Sequence, residues 1–109
     1  MASTTDLVER VRKEMSVVPR VSEKKMFGSV AFMVNEKMCV SVRADRVMCR
    51  IALELHDDAV ANEHCRTVMM RGRVMRGYVY VDAMGVRTHR QLSRWLALAL
   101  DYNKQIAPG

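Results

Sequence analysis

Cysteine is scarce in this sequence and unpaired: Cys39, Cys49 and Cys65 make an odd count without close spacing. That excludes a disulfide framework and points to a reducing compartment. Long apolar runs are missing too; the longest, Trp95 to Leu100, falls far short of the ~20 residues that span a bilayer. The opening residues MASTTDLVERVRKEM lack the apolar core of a signal peptide, and their acids argue against an organelle transit peptide. The expectation is a cytoplasmic chain with no membrane contact. Catalytic signatures are equally thin. Paired carboxylates on adjacent strands, a phosphate-cradling glycine loop and closely spaced metal ligands among His56, His64, Cys65 and His89 are all lacking. A Cys–His arrangement such as Cys65 with His89 makes a small enzyme with a reactive cysteine a further alternative, but cysteines on strands ordinarily act as small core fillers. A non-enzymatic chain with no cofactor and no metal is expected.

Acids are rare over one stretch in particular. The 109 residues carry 18 Lys and Arg against 12 Asp and Glu. Between Arg66 and Arg94 stand seven arginines and one acid, Asp82, so this segment holds the whole +6 while the remainder balances at eleven against eleven. Such a cluster is either a solvated basic surface or a place to meet a polyanion. Arg71, Arg73 and Arg76 fall in a glycine-flanked loop, and Arg87, Arg90 and Arg94 recur at spacings of three and four on one helix face. Each could neutralise a phosphate, which makes non-specific nucleic-acid binding the alternative function.

What is present in abundance is alternation. From Lys25 to Arg50, Val30, Phe32 and Val34 alternate along one strand, Met38, Val40 and Val42 along a second, and Val47, Cys49 and Ile51 along a third. With Ala44-Asp45 as a two-residue turn, Arg43 pairs with Arg46, so Val42 faces Val47, Val40 faces Cys49 and Met38 faces Ile51. Cys39, Ser41, Arg43, Met48 and Arg50 then share the other face, which separates Cys39 from Cys49. The Asn35-Glu36 hairpin admits two registers. A two-residue turn pairs Val34 with Lys37 and sets Ser29, Ala31 and Met33 beside Met38, Val40 and Val42. One more loop residue aligns the two apolar rows, and Glu36 disfavours the two-residue primed turn, whose second place wants Gly. In either register the first strand is apolar on both faces, so cover is expected on both sides.

Around this meander the pattern sets three helices and two more strands. Thr4 or Thr5 caps a first helix carrying Leu7, Val8, Val11 and Met15 over about residues 5–15, Pro19 ends it, and residues 16–24 form a link. A short helix falls within Leu55 to Glu63. Thr67 to Met70 and Tyr78 to Val81 read as strands joined by the loop 71–77. In the last helix Thr88 and Gln91 form a capping box before a stripe of Leu92, Trp95, Leu96, Ala99 and Ile106. Ala97, Leu98 and Leu100 extend the apolar surface nearly all round, a pattern of burial on more than one side. The ten methionines read as flexible core fillers, with Met33, Met48, Met69 and Met75 able instead to form an adaptable docking surface.

Met26-Phe27-Gly28 opening an apolar strand, Val34-Asn35-x-Lys37-Met38, the run Gly72-Arg73-x-Met75-Arg76-Gly77-Tyr78-Val79-Tyr80-Val81-Asp82, and a helix with Leu92 and Trp95 follow one another in order. Together they resemble the N-terminal domain of the TfoX/Sxy family of competence regulators, over about residues 24–104, and more narrowly its single-domain bacterial relatives. Glu36 stands where the family usually has a turn glycine, and Val74 where relatives often have proline. The resemblance implies a two-layer α+β fold, helix, three strands, helix, two strands, helix, with an antiparallel five-stranded sheet, as one domain over 1–109. In full-length members this domain precedes a second one, and the whole acts with the cyclic AMP receptor protein to switch on DNA-uptake genes. The role implied here, for a chain matching the first domain alone, is a regulator or accessory factor in gene expression with a protein partner in transcription. The doubly apolar strand and the last helix add a homodimer, with Val30, Phe32, Leu98 and Leu100 as candidate interface residues.

Overall fold

The structure is a computed structural model describing residues 4–106. Its elements run α1 (Thr4–Met15), β1 (Val21–Met26), β2 (Ser29–Val34), β3 (Lys37–Val42), β4 (Arg46–Arg50), α2 (His56–Val60), β5 (Cys65–Met70), β6 (Arg73–Asp82) and α3 (His89–Ile106), with single 3₁₀ turns over Leu53–Leu55 and Ala83–Val86. The α+β order read from the sequence holds, but the sheet has six antiparallel strands rather than five, in the order β1-β2-β3-β4-β6-β5. The additional strand is β1, which takes up residues 21–24 at the end of the expected link. Its side chains are almost all exposed, so it carries no apolar alternation to reveal it. As an edge strand it presents Lys24 and Lys25, charges that discourage pairing with another chain. The side chains of Thr4 and Thr5, the expected caps of α1, lie outside the described residues.

Three hairpins close through two-residue turns in which both residues have positive φ: Phe27-Gly28 (46° and 82°), Asn35-Glu36 (53° and 67°) and Arg71-Gly72 (52° and 78°). The second corrects the expected longer loop. Val34 does pair with Lys37, and the compensating residue lies inside β3, where the register skips between Phe32↔Val40 and Met33↔Met38. Cys39 is the extra residue of that bulge. It joins Val40 and Val42 in the core, while Met38 moves to the opposite side of the sheet, so the pairing of Met38 with Ile51 does not form. The Ala44-Asp45 turn, with Val42↔Val47 and Val40↔Cys49, stands as read.

The third hairpin replaces the expected loop 71–77. Only Arg71 and Gly72 are outside the strands, and the irregularity sits further along β6, where Thr67↔Val79 is followed by Val68↔Met75. Arg76, Gly77 and Tyr78 fill the gap. Gly77 is required there: its φ is +88°, and a Cβ would stand 3.2 Å from both the Ile51 carbonyl oxygen and the Leu53 side chain. His56, buried at the start of α2, holds this bend. Its Nδ1 accepts from the Gly77 N–H at 3.0 Å and its Nε2 lies 2.9 Å from Thr67 Oγ1, so the ring is in the tautomer that donates from Nε2.

All three helices lie on one side of the sheet. Leu7, Val8, Val11 and Met15 of α1 and Leu92, Trp95, Leu96 and Ala99 of α3 pack on Val30, Phe32, Val40, Val42, Val47, Cys49, Val79 and Val81 in a single core. The capping box of α3 forms as read: Gln91 N–H donates to Thr88 Oγ1 at 3.1 Å and Thr88 N–H to Gln91 Oε1 at 3.0 Å. Near the far end, buried Asn103 donates from Nδ2 to the Val34 carbonyl at 3.1 Å, fixing α3 to the end of β2. Arg10 of α1 donates to the carbonyls of Val86 and Arg87, and Arg12 makes a bidentate bond at 2.7 Å to Glu23 on β1. Among the described residues no helix is long and apolar enough to cross a membrane.

Candidate functional site

None of the described helices covers the opposite side of the sheet. A groove of about 410 Å³ runs over it, lined by Met26 and Phe27 at the β1–β2 tip, by Met38, Arg43, Arg46 and Met48 in the middle, by Tyr78 and Tyr80 on β6, and by Val68, Met70 and Met75 of the β5–β6 hairpin. β1 and β5 are the two edges of the sheet. Laid flat, six strands would hold these edges roughly 24 Å apart. That one groove touches both hairpin tips means that the sheet is curled with this face concave. The register breaks at Cys39 and Gly77 are irregularities of the kind that bends a strand.

Chemistry on this face is uneven. Five methionines give it a soft, repackable floor. Across the β4–β6 ladder Met48 pairs with Tyr80 and Arg50 with Tyr78, and the arginines lie over the rings: Arg46 is 4.4 Å from the Tyr80 centroid, and Arg50 is 5.5 Å from Tyr78 and 5.4 Å from Tyr102. Among the described residues, the buried side-chain polar atom without a hydrogen-bond partner is Arg46 Nε. The Asp45 carboxylate is 4.0 Å from it. Asp82, opposite Arg46 on β6, has its carboxylate engaged by the Gly85 N–H at 3.0 Å and His64 Nδ1 at 3.3 Å. Among the described residues no acid lines the groove.

The residues singled out from the sequence are distributed differently. Val30 and Phe32 are in the core beneath the helices, at 8% and 0% exposure, so no partner can reach them; the outward residues of β2 are Ser29, Ala31 and Met33. Leu98 and Leu100 are half-buried and pack on the same core, and Leu98 also borders a second, more polar cleft between α2 and α3, with Asp58, Asn62, His64, Arg94 and Trp95. The six arginines separate. Arg71 and Arg73 sit at the hairpin tip, Arg76 lies further along β6 beside Asp57 at 3.5 Å, and Arg87, Arg90 and Arg94 follow the other end of β6. A strand of that length separates Arg73 from Arg87 by on the order of 25–30 Å, so the arginine-rich segment does not fold into one patch.

Of the methionines read as a docking surface, Met48 and Met75 line the groove; Met33 and Met69 do not. Met15 is the buried methionine of the core, which corrects the reading of methionine as general core filler. Met38 was missed because the bulge reverses its face. Met26 was missed because β1 carries no alternation. The cross-strand row of Met48, Tyr78 and Tyr80 was within reach, since a β4–β6 pairing puts them on one side.

The cysteines also move. All three are free and buried in the core cluster, including Cys39 and Cys49, which the sequence placed on opposite faces. Burial pushes the Cys39 thiol up to about 12 and Cys65 to about 11, and raises Cys49 further. Cys65 is not joined to His89, which is exposed on α3 and pairs with Glu14 on α1 at 2.6 Å. Among the described residues no cluster of His, Cys, Asp and Glu could hold a metal ion.

A one-layered set of helices on a curled antiparallel sheet, with a methionine-lined and arginine-bearing groove on the free side, defines an open-faced α+β domain. Residues 13–102 match the TfoX N-terminal domain, which is most of the chain, and the chain belongs to that family. Searches of curated proteins and of solved structures returned no match.

Proposed function

We propose that this chain is a non-enzymatic binding domain that docks another macromolecule on the open face of its sheet and acts as a regulator or accessory factor in gene expression. The carrying observation is the groove itself. It is concave, apolar and flanked by side chains unusually exposed for their type: Phe27 at 94%, Met70 at 59% and Met26 at 45%. Phe27 in addition holds a left-handed backbone conformation, which a bulky residue adopts at a cost of about 1–2 kcal/mol. A site that keeps a strained, wet aromatic at its rim is organised for something other than stability. The gene-regulatory role rests on family membership.

A photo-crosslinking amino acid placed at Met48, and in a control at exposed Ala97 on α3, tests this in the source cell. Discrete adducts from position 48 alone, with altered transcript levels in a Met48→Glu strain, are expected. A folded Met48→Glu chain with unchanged transcripts and no adducts defeats the reading. A homodimer through the same face and nucleic-acid binding through the arginines are the competing readings. Light scattering at high concentration tests the first, and fluorescence anisotropy at two salt concentrations tests the second.

A further inference from the structure

We infer that the occupant of the groove is an acidic, apolar-rich segment of a partner protein, its side chains filling the methionine floor and a carboxylate meeting Arg46 and Arg43. This deepens the docking reading above and rests on it. Size comes first. At about 410 Å³ the groove falls in the range of ligand-sized clefts, ~300–1,000 Å³, so it takes a few side chains rather than the flat surface of a whole domain. Shape agrees, since both walls are hairpin tips that leave a channel between them. Methionine, whose unbranched side chain repacks readily, suits apolar side chains presented by a short segment.

Charge selects among the possible occupants. Arg43 and Arg46 line the groove, and among the described residues no acid stands in its other walls. Arg46 already stacks on Tyr80, so its guanidinium is held in place with the side chain still 30% exposed, and its Nε–H has no hydrogen-bond acceptor, the Asp45 carboxylate standing 4.0 Å away. A guanidinium held in place with a donor short of a hydrogen bond is stabilised by an incoming acceptor, most of all a carboxylate, because charge-assisted bonds are the strong ones. A second copy of this chain cannot supply one from the same face. In a two-fold arrangement each patch meets its own equivalent, whose lining among the described residues holds arginines and no acid, and a concave surface is set against a concave surface. A basic partner is excluded by the same charges.

The test uses the whole chain with its methionine methyl groups labelled with carbon-13. The probes are a short peptide of leucine, phenylalanine and glutamate, and its counterpart with lysine at every glutamate. Expected is movement of the Met26, Met38, Met48, Met70 and Met75 signals with the glutamate peptide, none with the lysine peptide, and still signals from Met69 and Met84 outside the groove. Arg46→Glu should weaken the glutamate peptide by about tenfold or more. Arg43 is exposed, so Arg43→Glu gives the same comparison without disturbing the Tyr80 stack. Equal response to both peptides, or response confined to Met69 and Met84, overturns the acidic occupant, as does a shift of the groove signals with protein concentration alone. Silence with both peptides overturns it too. If crosslinks from position 48 persist in that case, the docking reading survives and only the chemistry assigned to the partner falls.

Discussion

The two sides of this sheet are made by the same strands, yet they are built from different materials. The inner side is Val, Ile, Phe and Cys, with few rotamers and almost no exposure. The outer side is Met, Tyr, Ser and Arg, half-buried and adaptable. Stiff β-branched residues specify one packing against the helices. Soft or amphipathic ones leave a surface that can be repacked by what lands on it. In a strand such as β4, Arg-Val-Met-Cys-Arg, the two purposes alternate residue by residue. Stability and docking can therefore be altered separately in this domain.

The largest expected effect is a pair of substitutions that sets one side against the other. Val40→Asp buries an unpaired carboxylate at a fully enclosed position, a loss of several kcal/mol against a typical total of about 5–15, so the chain should be unfolded by circular dichroism. Met48→Asp should leave the melting curve within about 1 kcal/mol of the parent. Equal damage from both would abolish the distinction between the sides. Next in size is His56→Ala, which strands the Gly77 N–H and Thr67 and opens a cavity. A cost of about 2–4 kcal/mol is expected in urea denaturation, and the Met70 and Met75 signals should shift because the β5–β6 bend is no longer held. Thiol labelling gives a third comparison. At neutral pH all three cysteines should react slowly and then together on unfolding, since each is enclosed and none favours the thiolate. One rapidly labelled thiol would contradict the inner side as described.

The smallest effect concerns the tie between α1 and β1. Arg12 holds the Glu23 carboxyl below the usual range, mainly through their hydrogen bonds, against a partial loss of hydration. A carboxyl depressed in the folded state stabilises above its unfolded value, and the contribution is lost as pH falls through the folded one. Glu23→Gln should thus lower the melting temperature slightly at pH 7, with the difference from the parent closing once the pH drops below about 4. A difference that widens on acidification would show that the bridge does something else.

Much of the fold was legible because alternation and capping are local. The Val42↔Val47 and Val40↔Cys49 pairs of β3–β4, the capping box of α3 and the order of the elements other than β1 followed from residue spacing. Three things did not. β1 is exposed along nearly its whole length, so no period marks it. The bulge at Cys39 depends on how β2 and β3 settle the conflict between a tight turn and two apolar rows. Sequence exposed that conflict, but it located the extra residue in the loop because Glu36 is a poor turn residue; the structure accepts Glu36 at φ 67° and moves the adjustment into the strand. The candidate site was only partly visible for the same reason. Its floor combines residues from β1, β3, β4, β5 and β6, and their common side depends on where two strands change parity.

The order of the strands has a consequence for how the chain reaches this state. Four of the five ladders join neighbours in sequence, and only β4–β6 brings together strands with another between them. The meander and the β5–β6 hairpin can each assemble locally, within microseconds for a hairpin. Docking the hairpin by its second strand, not its first, is the long-range step and should govern the folding rate. A hairpin that arrived the wrong way round would keep every short-range contact and lose the Arg46–Tyr80 stack. Kinetic fidelity and the occupant's landing place thus depend on one seam.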